Sequence, residues 1–114
     1  MPQPVVLITG AAGGLGSALA KRFVEGNWRV AASDRDKAGL QTLNKQIAVD
    51  TCIQFDLRKT SNCQELVSQV LARCGRIDAL VNAAGVWREG PVESFSEEDF
   101  DLLMEVNLKA PFFM

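Results

Sequence analysis

The stretch Thr9–Gly16, with the sequence TGAAGGLG, decides the fold of this chain. It follows a short apolar run, Val5–Ile8, and leads into apolar positions that recur at helical spacing from Leu15 to Phe23. The sequence therefore predicts a buried strand, a glycine turn and the start of a helix. Glycines let the backbone turn sharply and let a ligand approach closely, while the first N–H groups of a helix attract an anion. We expect a phosphate or pyrophosphate group to bind at this turn.

Length and composition indicate one soluble α/β domain. The chain has 114 residues, of which 47% are hydrophobic and 23% charged, and it contains no repeat or low-complexity tract. Its formal net charge is −2. Proteins that bind nucleic acid usually concentrate Lys and Arg on one face, so a nucleic-acid partner is not expected.

The sequence shows neither a membrane-spanning run nor a secretory leader, so we expect a cytoplasmic protein with no membrane partner. Cys52, Cys63 and Cys74 form no CxxC pair, which favours reduced thiols that pack as small apolar side chains. Histidine is absent, and the spacing of the thiols does not suggest a metal site. No metal is expected.

An acidic residue follows the second predicted strand, which covers residues 28–33. A crossover through the first helix makes the two strands parallel neighbours, so Asp34 should lie at the carboxyl end of the sheet, beside the glycine turn. It stands 24 residues after Gly10, near the offset of roughly 20 residues expected for an acid that binds the ribose hydroxyls of a dinucleotide. We therefore expect the ligand to be an adenosine dinucleotide.

Arg35 complicates the choice between NAD and NADP. The Asp34 carboxylate would repel the 2′-phosphate of NADP, whereas the adjacent guanidinium could pair with that phosphate. Gly13 places no basic side chain within the turn to assist Arg35, so we expect NAD to be favoured over NADP. The alternative for Arg35 is a solvated side chain near the adenine.

A second acid follows the third predicted strand. A helix is expected over residues 37–46 and a strand over residues 48–55, which delivers Asp56-Leu57 to the same edge of the sheet. Asp56 could bind the exocyclic amine of adenine, or it could be a turn former or helix cap. The sequence leaves both interpretations open.

The remaining elements are predicted from capping patterns and apolar spacing. Ser61-x-x-Gln64 has the form of a capping box for a third helix, with Leu66, Val67, Val70 and Leu71 as its repeating apolar positions, and this helix ends near Gly75. A fourth strand over residues 77–82 is followed by a turn of small residues, Ala83–Gly85, and by a loop over residues 86–95. Ser96-x-x-Asp99 predicts another helix that runs toward the end of the chain, with Pro111 inside or at the start of a further helical segment.

These motifs together resemble the N-terminal part of a short-chain dehydrogenase/reductase. The resemblance is carried by Thr9-Gly10-x-x-x-Gly14-x-Gly16, Asp34, Asp56-Leu57, Asn82-Ala83-Ala84-Gly85 and Val106-Asn107. It implies a Rossmann-type, doubly wound parallel sheet with the partial strand order 3-2-1-4 and a nicotinamide cofactor along its carboxyl edge. The predicted cofactor-binding residues are Gly10, Ala12, Gly13, Gly14, Leu15, Gly16, Asp34, Arg35, Asp56, Leu57, Asn82, Ala83, Ala84 and Gly85. Family members commonly have Asn-Asn-Ala-Gly at Asn82–Gly85, so one side-chain hydrogen bond near the fourth strand is expected to be lost.

The resemblance also implies catalysis by Ser, Tyr and Lys with a supporting Asn. Only Asn107 matches one of these positions, and the chain contains no tyrosine. We expect residues 1–114 to be an incomplete dinucleotide-binding domain of an NAD(P)-dependent oxidoreductase, inactive alone, whose parent enzyme acts on an alcohol or carbonyl substrate. The alternative is a non-catalytic dinucleotide-binding or assembly module.

Two further regions invite an expectation. Trp87, Arg88 and Glu89 follow the fourth strand and are either candidates for substrate contact or, as favoured here, part of an exposed loop.

The fourth strand should be an exposed edge, and the segment Phe112–Met114 ends in bare apolar side chains. Because exposed edges and apolar ends promote pairing between chains, we expect self-association as a homo-oligomer.

Overall fold

A computed structural model describes residues 2–114 and contains one four-stranded sheet. Its strands are β1 (Val5–Thr9), β2 (Arg29–Asp34), β3 (Thr51–Gln54) and β4 (Ala79–Asn82). All paired strands are parallel and their order is β3-β2-β1-β4. The predicted Rossmann-type α/β fold and its partial strand order are therefore confirmed.

Strand β1 lies at the centre of the hydrophobic core and is buried along its whole length. Val5 and Leu7 face one cluster, which contains residues of the third helix, whereas Val6 and Ile8 face a second cluster on the opposite side of the sheet. This explains why β1 is a continuous apolar run rather than an alternating one, since a central parallel strand is covered on both faces.

Helices connect the strands and cover both faces of the sheet. They are α1 (Gly14–Glu25), α2 (Lys37–Gln46) and α3 (Thr60–Cys74), followed after β4 by a 3₁₀ turn (Val92–Ser94) and by α4 (Glu97–Met104). Strands β3 and β4 begin at Thr51 and Ala79, a few residues later than their apolar patterns predict. Before β3 the chain makes a local turn, in which the Val49 N–H donates to the Ile47 carbonyl at 3.1 Å.

Two predicted helix ends, at Ser96 and Gly75, agree with the structure. The Ser96 cap is confirmed, because its hydroxyl accepts a hydrogen bond from the Asp99 N–H at 3.1 Å. Gly75 ends α3 with a left-handed φ of +81°. At the end of α1, Gly26 follows the last helical residue and Asn27 adopts a left-handed φ of +66°.

The capping box predicted at Ser61 is wrong. Helix α3 begins one residue earlier, at Thr60, and its N-cap Lys59 makes no side-chain cap bond. Ser61 therefore lies inside the first turn, where it is exposed. The side-chain amide of Asn62, in this first turn, donates to the Asp56 carbonyl at 2.7 Å and ties the helix start to the turn before it. Leu71, expected on the buried face of this helix, is 45% exposed.

The chain after β4 ends in a helical segment with a widened turn. Helix α4 passes into a π turn (Glu105–Lys109) and then into α5 (Ala110–Phe113), and the Ala110 N–H donates to the Glu105 carbonyl. Pro111 lies in the first turn of α5, as predicted. A proline has no N–H, and its ring clashes with the carbonyl four residues earlier, so a wider turn before Pro111 relieves that clash. Several apolar side chains of this segment are exposed: Phe100, Leu108, Phe112 and Phe113.

Among the helices described for residues 2–114, none is both long and apolar enough to cross a membrane.

Candidate functional site

A cavity opens at the carboxyl edge of the sheet, where the turns after the four strands converge. The register places Thr9 of β1 beside Ser33 of β2 and Asn82 of β4, so the three strands end together. Nine predicted site residues line the cavity: Gly10, Gly13, Asp34, Arg35, Asp56, Leu57, Ala83, Ala84 and Gly85. The fold thus brings together residues that are up to 75 positions apart.

Six other predicted residues do not line this cavity: Ala12, Gly14, Leu15, Gly16, Asn82 and Asn107. Gly14, Leu15 and Gly16 form the first turn of α1, adjacent to the lining residue Gly13, and Asn82 is exposed at the end of β4. Four lining residues were not predicted: Ser33, Phe55, Val86 and Val106. Ser33, Phe55 and Val86 each stand next to a predicted motif, and Val106 belongs to the motif Val106-Asn107; these are their only sequence signals.

The glycine turn contains glycines of two kinds. Gly10 has a φ of +66°, and a Cβ on it would lie 2.5 Å from the Ala84 nitrogen, so the turn packs directly on the turn after β4. A Cβ on Gly16 would collide with the Gly10 carbonyl oxygen. A Cβ on Gly14, by contrast, would meet no atom within 4 Å. Packing within the chain therefore explains Gly10 and Gly16 but not Gly14.

The N-terminus of α1 has unpaired donors. The Ser17 N–H donates to the Gly13 carbonyl at 2.9 Å, but no acceptor within residues 2–114 is found for the N–H groups of Gly14, Leu15 and Gly16. The N-cap is a glycine without a side chain, and the first turn carries no acidic residue. These donors and the helix dipole together make the turn suitable for an anion.

Asp34 is held by the backbone around it. Its Oδ2 accepts a hydrogen bond from the Ala12 N–H at 3.0 Å, and its Oδ1 accepts one from the Asp36 N–H at 2.9 Å. The first bond ties the end of β2 to the glycine turn. The carboxylate is therefore fixed in direction at the cavity, and it retains lone pairs that can accept from a ligand hydroxyl. Arg35 is exposed beside it.

Asp56 shapes the turn before α3, which is one of the two interpretations that the sequence left open. Its Oδ1 accepts a hydrogen bond from the Arg58 N–H at 3.0 Å, so the residue does shape the turn before α3. It also lines the cavity, as an adenine-binding acid would. Leu57, the next residue, is buried and packs in the cluster that contains α3.

An ion pair of Arg58 links the turn before α3 to the π turn. Its Nε lies 2.7 Å from Oε2 of Glu105, the first residue of the π turn. The hydrogen bond that Arg58 donates to Glu105 raises the pKa of the Arg58 guanidinium above its ordinary value, and the charges of Glu105, Asp56 and Glu98 add to this effect.

Asn107 lies in the π turn and binds the backbone of Val86. Its Oδ1 accepts from the Val86 N–H and its Nδ2 donates to the Val86 carbonyl, both at 2.9 Å. This paired contact fixes the chain that follows Gly85 at one wall of the cavity. Asn107 itself is exposed.

The loop after Val86 agrees with the interpretation of an exposed segment. Trp87 is 76% exposed, and Arg88 lies 3.6 Å from Asp99 across the loop. Within residues 2–114 there is no cluster of three or more His, Cys, Asp or Glu side chains arranged to hold a metal ion. The three cysteines are free thiols, of which Cys63 and Cys74 are buried in the core as the sequence predicts.

Comparison with known proteins assigns the family. The sequence profile described as short chain dehydrogenase matches residues 4–114. D-threitol dehydrogenase of Mycolicibacterium smegmatis is 37% identical over 96% of this chain and 44% of its own length. An uncharacterized oxidoreductase of Thermotoga maritima is 39% identical over 96% of this chain and 45% of its own length.

Solved structures give the same result. A metagenomic short-chain oxidoreductase in complex with NADP aligns with a TM-score of 0.90 and 34% identity, over 96% of this chain and 52% of that one. A 3-ketoacyl-(acyl-carrier-protein) reductase from Brucella melitensis complexed with NADH aligns with a TM-score of 0.88 and 34% identity, over 97% of this chain and 46% of that one. The chain spans about half the length of the relatives it matches. On the strength of the profile match, which covers nearly all its residues, this chain belongs to the short-chain dehydrogenase family.

Proposed function

We propose that residues 1–114 form the dinucleotide-binding part of an NAD(P)-dependent oxidoreductase that acts on an alcohol or carbonyl substrate. One observation carries the proposal: a single cavity edge combines a helix N-terminus with unpaired N–H groups and a carboxylate fixed by the glycine turn. The first suits a pyrophosphate and the second suits ribose hydroxyls. Relatives solved with NADH and with NADP support a nicotinamide dinucleotide.

Gly14 supports the same ligand. Since nothing in the chain occupies the space where its Cβ would be, a pyrophosphate can come close to the backbone there. In this proposal Gly13–Gly16 and Ala12 surround the pyrophosphate, Asp34 holds the adenosine ribose, and Asp56 and Leu57 flank the adenine. The turn Asn82–Gly85 lies along the remaining length of the cofactor.

We propose that NAD is preferred to NADP. The Asp34 carboxylate would face the 2′-phosphate of NADP at short range, and like charges in contact oppose binding. Arg35 could offset part of this repulsion, but its side chain is exposed, and Gly13 adds no second cation. We therefore expect discrimination against NADP rather than exclusion.

The cofactor supplies hydride chemistry, and the residues of this chain bind and orient it. Asn107 matches the one catalytic position of the family that falls within these residues, and its role here is to hold Val86. We expect residues 1–114 to bind cofactor without turnover. We propose only the class of substrate, an alcohol or carbonyl compound. The names of the relatives indicate different compounds, from D-threitol to 3-oxoacyl groups.

A second candidate is a dinucleotide-binding module with no chemistry of its own. The observation that favours it is the absence of tyrosine from all 114 residues, since tyrosine is the family's proton donor. Both candidates predict no turnover by residues 1–114, so a dehydrogenase assay over a panel of alcohols separates them only when it is made on the parent protein, where turnover would eliminate the module.

Calorimetric titration with NADH and NADPH tests the proposal. We expect NADH to bind more tightly than NADPH. The Asp34→Asn substitution should weaken the binding of NADH and reduce the difference in affinity between NADH and NADPH. Asp36→Asn is the matched control: Asp36 is a carboxylate two residues away that caps α2 through the Gly39 N–H, and the amide keeps that acceptor. If NADH shows no saturable binding to the folded chain, or if both variants behave alike, the proposal is wrong.

A further inference from the structure

Two walls of the cavity come from segments that are far apart in the sequence. One is the turn before α3, through Asp56 and Leu57, and the other is the π turn, through Val106. Leu57 and Val106 are both nearly buried. Each is next in sequence to one member of the same ion pair, because Arg58 follows Leu57 and Glu105 precedes Val106.

The pair is well connected on both sides. The backbone N–H of Arg58 donates to the Asp56 carboxylate, so its position is set by a residue in the cavity. Glu105 accepts the i+5 hydrogen bond that defines the π turn, and Asn107 stands two residues later. Hydrogen bonds therefore join Asp56 to Arg58, Arg58 to Glu105 and Asn107 to Val86, and the backbone of the π turn connects Glu105 to Asn107.

Arg58 also compensates charge. The Glu105 carboxylate is in contact with it, and the carboxylates of Asp56 and Glu98 are close enough to act on it electrostatically. Without the guanidinium, the Glu105 carboxylate would lose this ion-pair partner, and the attraction that holds the π turn to the turn before α3 would be lost.

We propose that Arg58 is a positioning residue for the cavity: its ion pair with Glu105 holds the π turn in place and thereby maintains the two hydrogen bonds between Asn107 and Val86. The expected effect of Arg58 on cofactor binding rests on the proposed function, whereas its expected effect on the position of Val86 does not. Arg58 acts through Glu105 and Asn107 and needs no contact with the cofactor.

Amide hydrogen exchange followed by NMR tests the cofactor-free chain. For Arg58→Gln we expect Val86 to exchange about two- to fivefold faster, the range given by a partly exposed ion pair, and the Asn107 side-chain amide signals to shift. Exchange of the β1 amides should stay unchanged. Arg58→Lys keeps the positive charge, so the Val86 amide should retain at least half of the protection that it loses in Arg58→Gln. Arg22→Gln removes the exposed Arg22–Glu25 pair of α1 and should leave Val86 unaffected.

The charge-swapped double variant R58E/E105R keeps the test decisive if Arg58→Gln does not fold, since it should retain protection at Val86. Three results would overturn the proposal: unchanged exchange at Val86 in Arg58→Gln, a uniform acceleration of all amides, or a folded swap in which Val86 is unprotected. NADH fluorescence gives the second readout, in which Arg58→Gln should raise the Kd about two- to fivefold. If the unsubstituted chain binds no NADH, the proposed function fails while the exchange result still decides the role of Arg58.

Discussion

Asn107 and Val86, which are 21 positions apart, are joined by two hydrogen bonds of 2.9 Å between a side-chain amide and a backbone peptide. The contact closes the loop after β4 onto the π turn. It also leaves little room beside Gly85, where a Cβ would lie 3.3 Å from the Asn107 Oδ1. One side chain therefore fixes the path of the loop and favours a small residue there.

Replacing Asn107 by Ala should free this loop. We expect the free energy of unfolding to fall by about 1 kcal/mol, since the two hydrogen bonds are partly solvated and such bonds contribute roughly 0.5–1.5 kcal/mol each. Urea unfolding measures the loss, and the Val86 amide should exchange faster. Asn44→Ala, on the exposed side of α2, is the control and should be close to neutral; an equal loss in both variants would contradict the assignment.

Gly14 and Gly16, both in the first turn of α1, should differ in how much stability is lost when each is replaced by alanine. Gly16→Ala should destabilise the fold by about 1–3 kcal/mol or more, because its Cβ collides with the Gly10 carbonyl. Gly14→Ala should leave stability within about 0.5 kcal/mol, since alanine is the better helix former and no atom is near. We expect it nevertheless to weaken NADH binding. Thermal unfolding and calorimetry on both variants check this, and normal NADH affinity in Gly14→Ala would remove the ligand explanation for this glycine.

Acid should destabilise the chain through Asp50. The hydrogen bond from Arg29, at 2.9 Å, holds the pKa of Asp50 below its ordinary value, and the Cys74 thiol adds a smaller effect. A carboxyl whose pKa is lower in the folded state than in the unfolded state stabilises the fold above the unfolded value, near 3.8, and loses that contribution as the pH falls through the folded value.

We therefore expect stability to be level above about pH 5 and to fall below about pH 4. Asp50→Asn should have a flatter acid limb, whereas Asp101→Asn, an exposed carboxylate on α4, should keep the original one. Chemical unfolding at a series of pH values gives both curves. Identical acid limbs in the two variants would show that the Arg29–Asp50 pair has no part in the transition.

Alkali should act through Cys74. Burial and its hydrogen bond to Asp50 raise the pKa of the Cys74 thiol from 9.0 to about 11. The protonated thiol is thus favoured by the fold, so its contribution is complete below pH 9 and is lost between pH 9 and about 11. Cys74→Ser keeps a hydroxyl donor that does not titrate there and should reduce this alkaline loss. An unchanged alkaline limb in Cys74→Ser would refute the assignment.

Local patterns were sufficient for much of the fold and for part of the cavity. The apolar run of β1, the glycine turn and α1 are adjacent in sequence, and Asp34 is the last residue of β2, so periodicity and spacing locate them. Parallel strands end at one edge, which explains why the residues after β1, β2, β3 and β4 were predicted to meet. Capping at Ser96 was also predictable, because the acceptor and the donor are three residues apart.

The cap of α3 shows where such reasoning fails. Ser61 and Gln64 satisfy the pattern of a capping box, but Asn62 bonds to the Asp56 carbonyl and the helix starts before Ser61. The turn that carries Asp56 is shaped by contacts with the rest of the molecule, including the ion pair of Arg58 with Glu105, 47 positions away. A local motif cannot report a constraint of that range.

By itself, the sequence determined the order of the elements, the α/β class and the family, because apolar periodicity and the glycine and asparagine motifs are properties of neighbouring residues. Only the tertiary structure decided which glycines of the turn are required by packing, that Val86 and Val106 complete the cavity, and that Asn107 and Arg58 hold its walls. Those relationships depend on atoms of distant segments meeting within a few ångströms. Gly14 and Gly16 look alike in the sequence, and they differ only because the Gly10 carbonyl lies against one of them.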